Sequence, residues 1–410
     1  MMLLAFWLRR HWRILALVVL AGVTCVVGAE ALWRHHNAQT RRAAVAPTAP
    51  AGPSRVDYAA FDARIIRLMQ EPDMVGLAVA AVERGQLRFV RGYGVTQAGS
   101  RDPVTPDTVF RWASLSKGVA ATLVVQLAHE GRLSLDAPVL SLGTSLTLPG
   151  DAGRVTVADL LSHRLGLPHN AWDDRLEAGE DPKVLRAQLA TVPAACPPGT
   201  CHAYQNIAFD TASEIVERVT GEPYAKVAHE RLFAPMGMGS ATVGRDGLQS
   251  AASWARPHRF RKTPATVEEA YYRVPAAGGV NSSIKDLARW MQVQMGAAPG
   301  LVTPAALAAL HEDRIATPPR GPRNPADPTT KAAYGLGWRS FVLDGHRLVG
   351  HRGSVDGYGS LILFDPVDKS GIVMLWNANY YRPARLEYEF FDRLYGAPFV
   401  DRLDLESQRR

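Results

Sequence analysis

Three short clusters in this 410-residue sequence carry side chains suited to acyl transfer: Ser114-Leu115-Ser116-Lys117, Tyr204-Gln205-Asn206 and His351-Arg352-Gly353-Ser354. A serine hydroxyl is a weak nucleophile until a neighbour takes its proton, and an amine one helical turn further on is within reach to do so. At a helix amino terminus the pair also feels a positive potential that favours an anionic intermediate. The bland alternative is a Ser114 that caps a helix and a Lys117 that lies in solvent on its first turn. Tyr204 and Asn206 can point from one loop into one cleft, the phenol shuttling protons beside a cation and the amide holding both substrate and lysine. On a strand, residues 351 and 353 share a face, where His351 could donate to a substrate and Gly353 would let its backbone lie close. The backbone N–H groups of Ser114 and Ser354 are the expected oxyanion donors, and Arg352 is expected to face the other way.

Elements at both ends of the chain must hold these clusters. Residues 75–82 and 86–93 read as a hairpin of buried strands, and short apolar strands return at 348–351, 357–364 and 370–376. Between them lie helical patterns at 115–129, 155–162, 208–220, 223–234 and 284–295. Ser283 with Asp286, Gly131 and Gly221 mark helix ends. The fold class is therefore α+β: an antiparallel sheet built from both chain ends, flanked by helices, with a mostly helical subdomain inserted and a cleft between them. Residues 317–333, with five prolines, read as a loop.

In this order and at these separations the clusters resemble the serine β-lactamase and penicillin-binding-protein superfamily, in particular its class C-type branch. That branch also holds esterases and D-Ala-D-Ala carboxypeptidases. The resemblance spans about residues 57–395 and includes Leu160-Leu161-Ser162-His163, Gly166-Leu167-Pro168, Pro198-Gly199-Thr200, Pro235-Met236-Gly237-Met238, Ala277-Gly278-Gly279 and Tyr334-Gly335-Leu336-Gly337-Trp338. It implies Ser114 as the acylated nucleophile, Lys117 and Tyr204 as an acid/base pair, Asn206 as orienter, and the 351–354 strand as the far wall of the site. It implies no cofactor. Where class C β-lactamases carry Lys-Thr-Gly, this sequence has His-Arg-Gly, which argues against efficient lactam hydrolysis. The expected substrates are small esters, or amides and peptides related to D-amino acids or peptidoglycan. The alternatives are a penicillin-binding carboxypeptidase or weak β-lactamase, and a tethered sensor that binds without turnover. His163 falls in a structural turn, Trp112 reads as packing, and Tyr271-Tyr272 and the 317–333 loop are expected to border the pocket.

Charge excludes a nucleic-acid partner. Of the net +7, residues 1–55 hold +6, from seven arginines against Glu30, leaving a near-neutral body. Arg9, Arg10 and Arg13 precede an uncharged run from Ile14 to Ala29, so residues 1–36 read as a cytoplasmic start with a membrane anchor, or as a signal segment cleaved near Ala29. Either way the body lies outside the inner membrane, on its periplasmic side. Cys25 follows a poor lipoprotein signal. Residues 37–55 read as an Ala/Pro-rich linker, 56–400 as the catalytic domain and 401–410 as a tail. Cys196 and Cys201 bracket a Pro-Pro-Gly turn and are expected to form a disulfide in an oxidising compartment. His35, His36 and His202 have no metal-ligand spacing, so no metal is expected.

Overall fold

The strands of the main sheet are β1 (Gly76–Glu83), β2 (Gln86–Gly94), β3 (Ile315–Thr317), β4 (Lys331–Tyr334), β5 (Arg339–Leu343), β6 (His346–Val355), β7 (Tyr358–Asp365) and β8 (Ser370–Trp376). They form one antiparallel sheet in the order β2-β1-β8-β7-β6-β5-β4-β3, with Val79 of β1 opposite Met374 of β8. The first strands and the last thus close a single sheet, as the strand patterns at the two ends of the sequence require. The computed structural model describes residues 52–318 and 329–406. The expected anchor or signal at 1–36, with Cys25, His35 and His36, lies outside the described residues, as do most of the 37–55 linker and positions 319–328 of the proline-rich loop. Among the described residues, no helix is long and apolar enough to cross a membrane.

Both faces of β1 and β8 are covered, so these strands read as unbroken apolar runs rather than alternating ones. Leu77, Val79 and Ala81 join Ile372, Met374 and Trp376 on one face, against α1 (Tyr58–Leu68) and the carboxy-terminal helix Leu386–Tyr395. Ala78, Ala80 and Val82 join Val373 and Leu375 on the other face, against the inserted helical body. Within that body, α2 (Ser116–His129) is buried nearly all round, which makes it a central helix rather than an amphipathic surface one. It is followed by α3 (Thr211–Thr220) and α4 (Ile284–Gln294). The Ser283 hydroxyl accepts from Asp286 N–H to start α4, but the Asp286 carboxylate turns to the Ser240 hydroxyl instead of completing a reciprocal cap.

Several boundaries differ from the sequence reading. Ser54 and Arg55 are tied to Glu83 rather than belonging to a free linker. At the other end, Leu403 and Leu405 are buried and Arg64 bridges Glu389 and Asp401, so residues 401–406 are packed rather than a loose tail. The loop read at 317–333 begins and ends in strands, because Thr317 pairs with Ala332 and Ala333 with Ser340. The stretch 223–234 splits into a helix, Tyr224–Ala228, and a π-turn, His229–Phe233.

Candidate active site

A short strand, Val109–Arg111, pairs with Val280–Ser283 and delivers the chain into a 3-10 turn, Ala113–Leu115, that runs straight into α2. Ser114 therefore sits in the turn before the helix, and it caps nothing. The preceding Ala113 has a φ of +50°, a left-handed conformation that costs a non-glycine residue about 1 kcal/mol or more. Surrounding bonds hold it. Trp112 donates its N–H to Val280 O at 2.9 Å and its carbonyl accepts from the Ser360 hydroxyl at 2.6 Å. The Ser116 hydroxyl donates to Ala113 O at 2.7 Å while accepting from Val280 N–H at 3.0 Å. The Trp112 ring is fully buried, its N–H on Ser282, which is a packing role.

Gly353 lies directly beneath this turn. A Cβ built there would stand 2.4 Å from Trp112 O and 3.0 Å from Ser114 N. The bare backbone makes room for the nucleophile turn, not for a substrate, and this corrects the expectation from strand alternation. Arg352 faces away as expected, paired with Glu387 and donating to the Tyr388 hydroxyl.

Lys117 is fully buried, which rules out the solvated alternative. Its Nζ lies 2.7 Å from Asn206 Oδ1, 3.0 Å from Ala277 O and 3.5 Å from Ser114 Oγ. Desolvation brings its pKa down to about 7, against the opposing pull of Asp173 and Asp210. A neutral amine here has two N–H bonds, which the two nearer acceptors take, and a lone pair left facing the serine. Behind Asn206 stands Asp173, whose Oδ2 accepts from Asn206 Nδ2 at 2.7 Å and whose pKa burial pushes up to about 6. Asp210 accepts from Ala276 N–H at 2.8 Å and so steadies the turn that presents the Ala277 carbonyl.

Tyr204 comes from a loop zipped to residues 163–170. Ala203 N–H donates to His163 O, Asn170 N–H to Tyr204 O, and Ala195 N–H to Gly166 O, whose residue leaves no room for a Cβ beside Cys196 O. The Cys196–Cys201 disulfide staples the same loop, as expected. The Tyr204 ring lies with its centroid 4.6 Å from Lys117 Nζ and 4.3 Å from that of His163.

His351 lines the cavity as the sequence suggested, and both of its ring nitrogens meet protein atoms. Gln205 N–H donates to His163 Nδ1 at 3.1 Å, so His163 carries its proton on Nε2 and gives it to the Tyr334 hydroxyl at 3.1 Å. Burial holds the His163 pKa well below its usual value and that of Tyr334 well above, which keeps both neutral. Tyr334 then donates to His351 Nε2 at 3.0 Å, and His351 Nδ1 lies 2.8 Å from Arg352 O. The chain of contacts runs from the Tyr204 loop to β6, where both ring nitrogens of His351 meet protein atoms.

A cavity of about 280 Å³ brings Ser114, Tyr204, Asn206, His351 and Ser354 together with Asp173. Arg339, which the sequence reading missed, also lines it, its guanidinium 5.8 Å from the centroid of the Tyr204 ring. Among the described residues no carboxylate pairs with Arg339. Its position one residue past the Tyr-Gly-Leu-Gly-Trp run was the available signal; Asp173 had none, since its contact to Asn206 joins a short helix, Asp173–Glu177, to a separate loop. Tyr271 borders the cavity, whereas Tyr272 turns inward and donates to Asn281 Oδ1 at 2.5 Å. A roomier cavity of about 520 Å³, lined by Val302, Leu307, His311 and Arg347 among others, has no serine, threonine or cysteine among its lining residues.

Residues 61–396 match the family model described as Beta-lactamase, and the chain belongs to that family of serine hydrolases. It is 29% identical, over 78% of its length, to the Aspergillus campestris protein described as Unguisins hydrolase ungD', of which it spans 62%, less than two thirds. It is also 29% identical, over 77% of its length and 84% of the relative's, to Penicillin-binding protein 4 of Amycolatopsis lactamdurans. The octameric penicillin-binding protein homologue from Pyrococcus abyssi superposes with a TM-score of 0.76 at 24% identity, covering 86% of this chain and 81% of that one. At that identity the likeness is one of fold.

Proposed function

We propose that this protein hydrolyses small esters or amides through an acyl-enzyme on Ser114, with Lys117 as the base and a carboxylate of the leaving group held by Arg339. The carrying observation is a fully buried Lys117 with its pKa near 7, its two shorter contacts to acceptors and its third to Ser114 Oγ. The 3.5 Å separation is long for a resting hydrogen bond and tightens as the serine proton moves. The Lys117 amine takes the Ser114 proton as Oγ bonds to the substrate carbonyl carbon, and the N–H groups of Ser114 and Ser354 receive the oxyanion. Tyr204 gives its proton to the departing group and recovers one from the Lys117 ammonium. Water, deprotonated by the same pair, then cleaves the acyl-enzyme and frees Ser114.

A guanidinium beside Tyr204 that no carboxylate among the described residues pairs with favours substrates with a free terminal carboxylate, and so a carboxypeptidase form of this reading over a neutral esterase. An imidazole, His351, standing where a β-lactamase has lysine, weighs against efficient lactam turnover. We also place the activity outside the inner membrane, on the support of the arginine-flanked apolar run at 14–29 and the Cys196–Cys201 disulfide. The test is incubation with p-nitrophenyl esters, nitrocefin and a D-Ala-D-Ala peptide alongside Ser114→Ala. Multiple turnovers lost in the variant support the hydrolase. A single stoichiometric burst would instead make the protein an acylated sensor.

A further inference from the structure

The catalytic cavity does not end at Ser354. At about 280 Å³ it is small for a ligand site, but Tyr271, Ser354 and Val355 also border a groove of about 470 Å³, and the two together reach the size of pockets that hold peptide-like ligands. The groove passes over the end of the β6–β7 hairpin, between it and the chain that follows β8. Tyr204 and Arg339, at the leaving-group end, do not border it. It therefore opens on the acyl side of the scissile bond.

Most polar groups in the groove are already spent on the protein. Asp356 pairs with Arg259 at 2.6 Å and accepts from Asn379 Nδ2 at 2.8 Å, while Asn379 Oδ1 takes the N–H of Gly357 at 2.7 Å. Tyr380 donates its hydroxyl to Glu71. Glu177 differs: it is exposed, and among the described residues it accepts from the Tyr271 hydroxyl alone, at 2.6 Å, and no cation pairs with it. Across the groove the Tyr381 ring is 62% exposed. A carboxylate in a groove that tyrosine rings also line is the chemistry that receives a protonated amine, through an ion pair and cation–π contact.

We propose that this groove is an acyl-side subsite for a substrate arm ending in a protonated alkylamine, with Glu177 as its counter-ion and Tyr381 as its wall. The inference rests on the hydrolase reading above. It is tested with p-nitrophenyl esters of acetate, hexanoate and 6-aminohexanoate on the whole protein, wild type, Ser114→Ala, Glu177→Gln and Tyr381→Ala. The aminohexanoate should exceed hexanoate about threefold in kcat/KM, the worth of one exposed ion pair of roughly 0.6 kcal/mol. Glu177→Gln should bring that ratio to near one, 0.5 M salt should shrink it, and Tyr381→Ala should lower both long esters relative to acetate. Ser114-dependent acetate turnover with no preference for the amine, or a preference that survives Glu177→Gln, overturns the subsite alone. Absence of any Ser114-dependent turnover overturns the hydrolase reading and the subsite with it.

Discussion

Asn206 turns its amide oxygen toward Lys117 because Asp173 holds its amide nitrogen, both contacts being 2.7 Å. A carboxylate accepts only and an ammonium donates only, so these two partners set the amide one way round. The buried charge of Asp173 thereby reaches the Lys117 amine through one intervening side chain.

Replacing Asp173 by Asn removes that polarity. Asp173 raises the Lys117 pKa through its charge, so the acid limb of the kcat/KM profile should move to lower pH in Asp173→Asn. At the same time kcat should fall by about 10- to 100-fold as the Asn206 amide loses its orientation. A profile that keeps its midpoint would show that the carboxylate has no electrical hold on Lys117.

Lys117 itself titrates to about 7 in the folded protein. Only the amine accepts the serine proton, so kcat/KM should climb as pH rises through about 7 and level off above. The stability effect has a definite sign: the folded pKa is below the unfolded one, so between about 7 and 10.5 the unfolded chain binds the extra proton. Stability from this group therefore increases with pH across that window. Lys117→Met should abolish turnover, raise Tm near neutral pH and flatten the pH dependence of Tm, all measurable by calorimetry.

Gly353→Ala should displace the nucleophile turn, because its Cβ has no free space between Trp112 O and the Ser360 hydroxyl. A loss of stability of about 1–3 kcal/mol is expected from overpacking, with kcat reduced at least a hundredfold. Thermal melting and kinetics on one preparation would separate the two, and wild-type turnover in this variant would be incompatible with the packing described.

Arg339→Ala should raise KM about 10- to 100-fold for substrates with a free carboxylate, in keeping with loss of a charge-assisted bond of roughly 1.5–3 kcal/mol. Methyl-esterified versions of the same substrates should lose far less. Equal losses for both would remove Arg339 from substrate binding.

Cys196→Ser with Cys201→Ser should cost about 2 kcal/mol by the chain-entropy argument for a loop this short. Tyr204 is anchored by the same loop, so kcat should fall more than KM rises. Dithiothreitol should reproduce the effect in the native protein and leave the double variant unaltered.

The strands at both chain ends were legible because β1, β7 and β8 are buried on both faces, which leaves long apolar runs bounded by turns. β3, β4 and β5 were missed: they are three to five residues long and carry Lys331, Arg339 and Ser340 among few apolar positions. The site followed the same rule. Ser114, Lys117, Tyr204 and Asn206 stand in local patterns whose spacing has a chemical meaning. Asp173 acts through Asn206, and Tyr334 through His163 and His351, over contacts no local spacing encodes. The partners of His351 were hidden for that reason, since its Nε2 meets Tyr334, whose own partner His163 is fixed by a backbone donor, Gln205, far away in the chain.

β1 lies between β2 and β8, so the sheet has a seam where the beginning of the body meets its end. β6, β7 and β8 can pair with one another as hairpins once synthesised, but one edge of β8 stays open until β1 docks. Every β1–β8 contact spans most of the chain, a long loop to close and a source of slow folding. Until that seam shuts, an apolar strand edge is exposed to other chains. A ribosome that stalls before residue 370 would release a body with its first hairpin unmatched, and holding factors that shield such an edge would matter more to the yield of this protein than any change within its catalytic cleft.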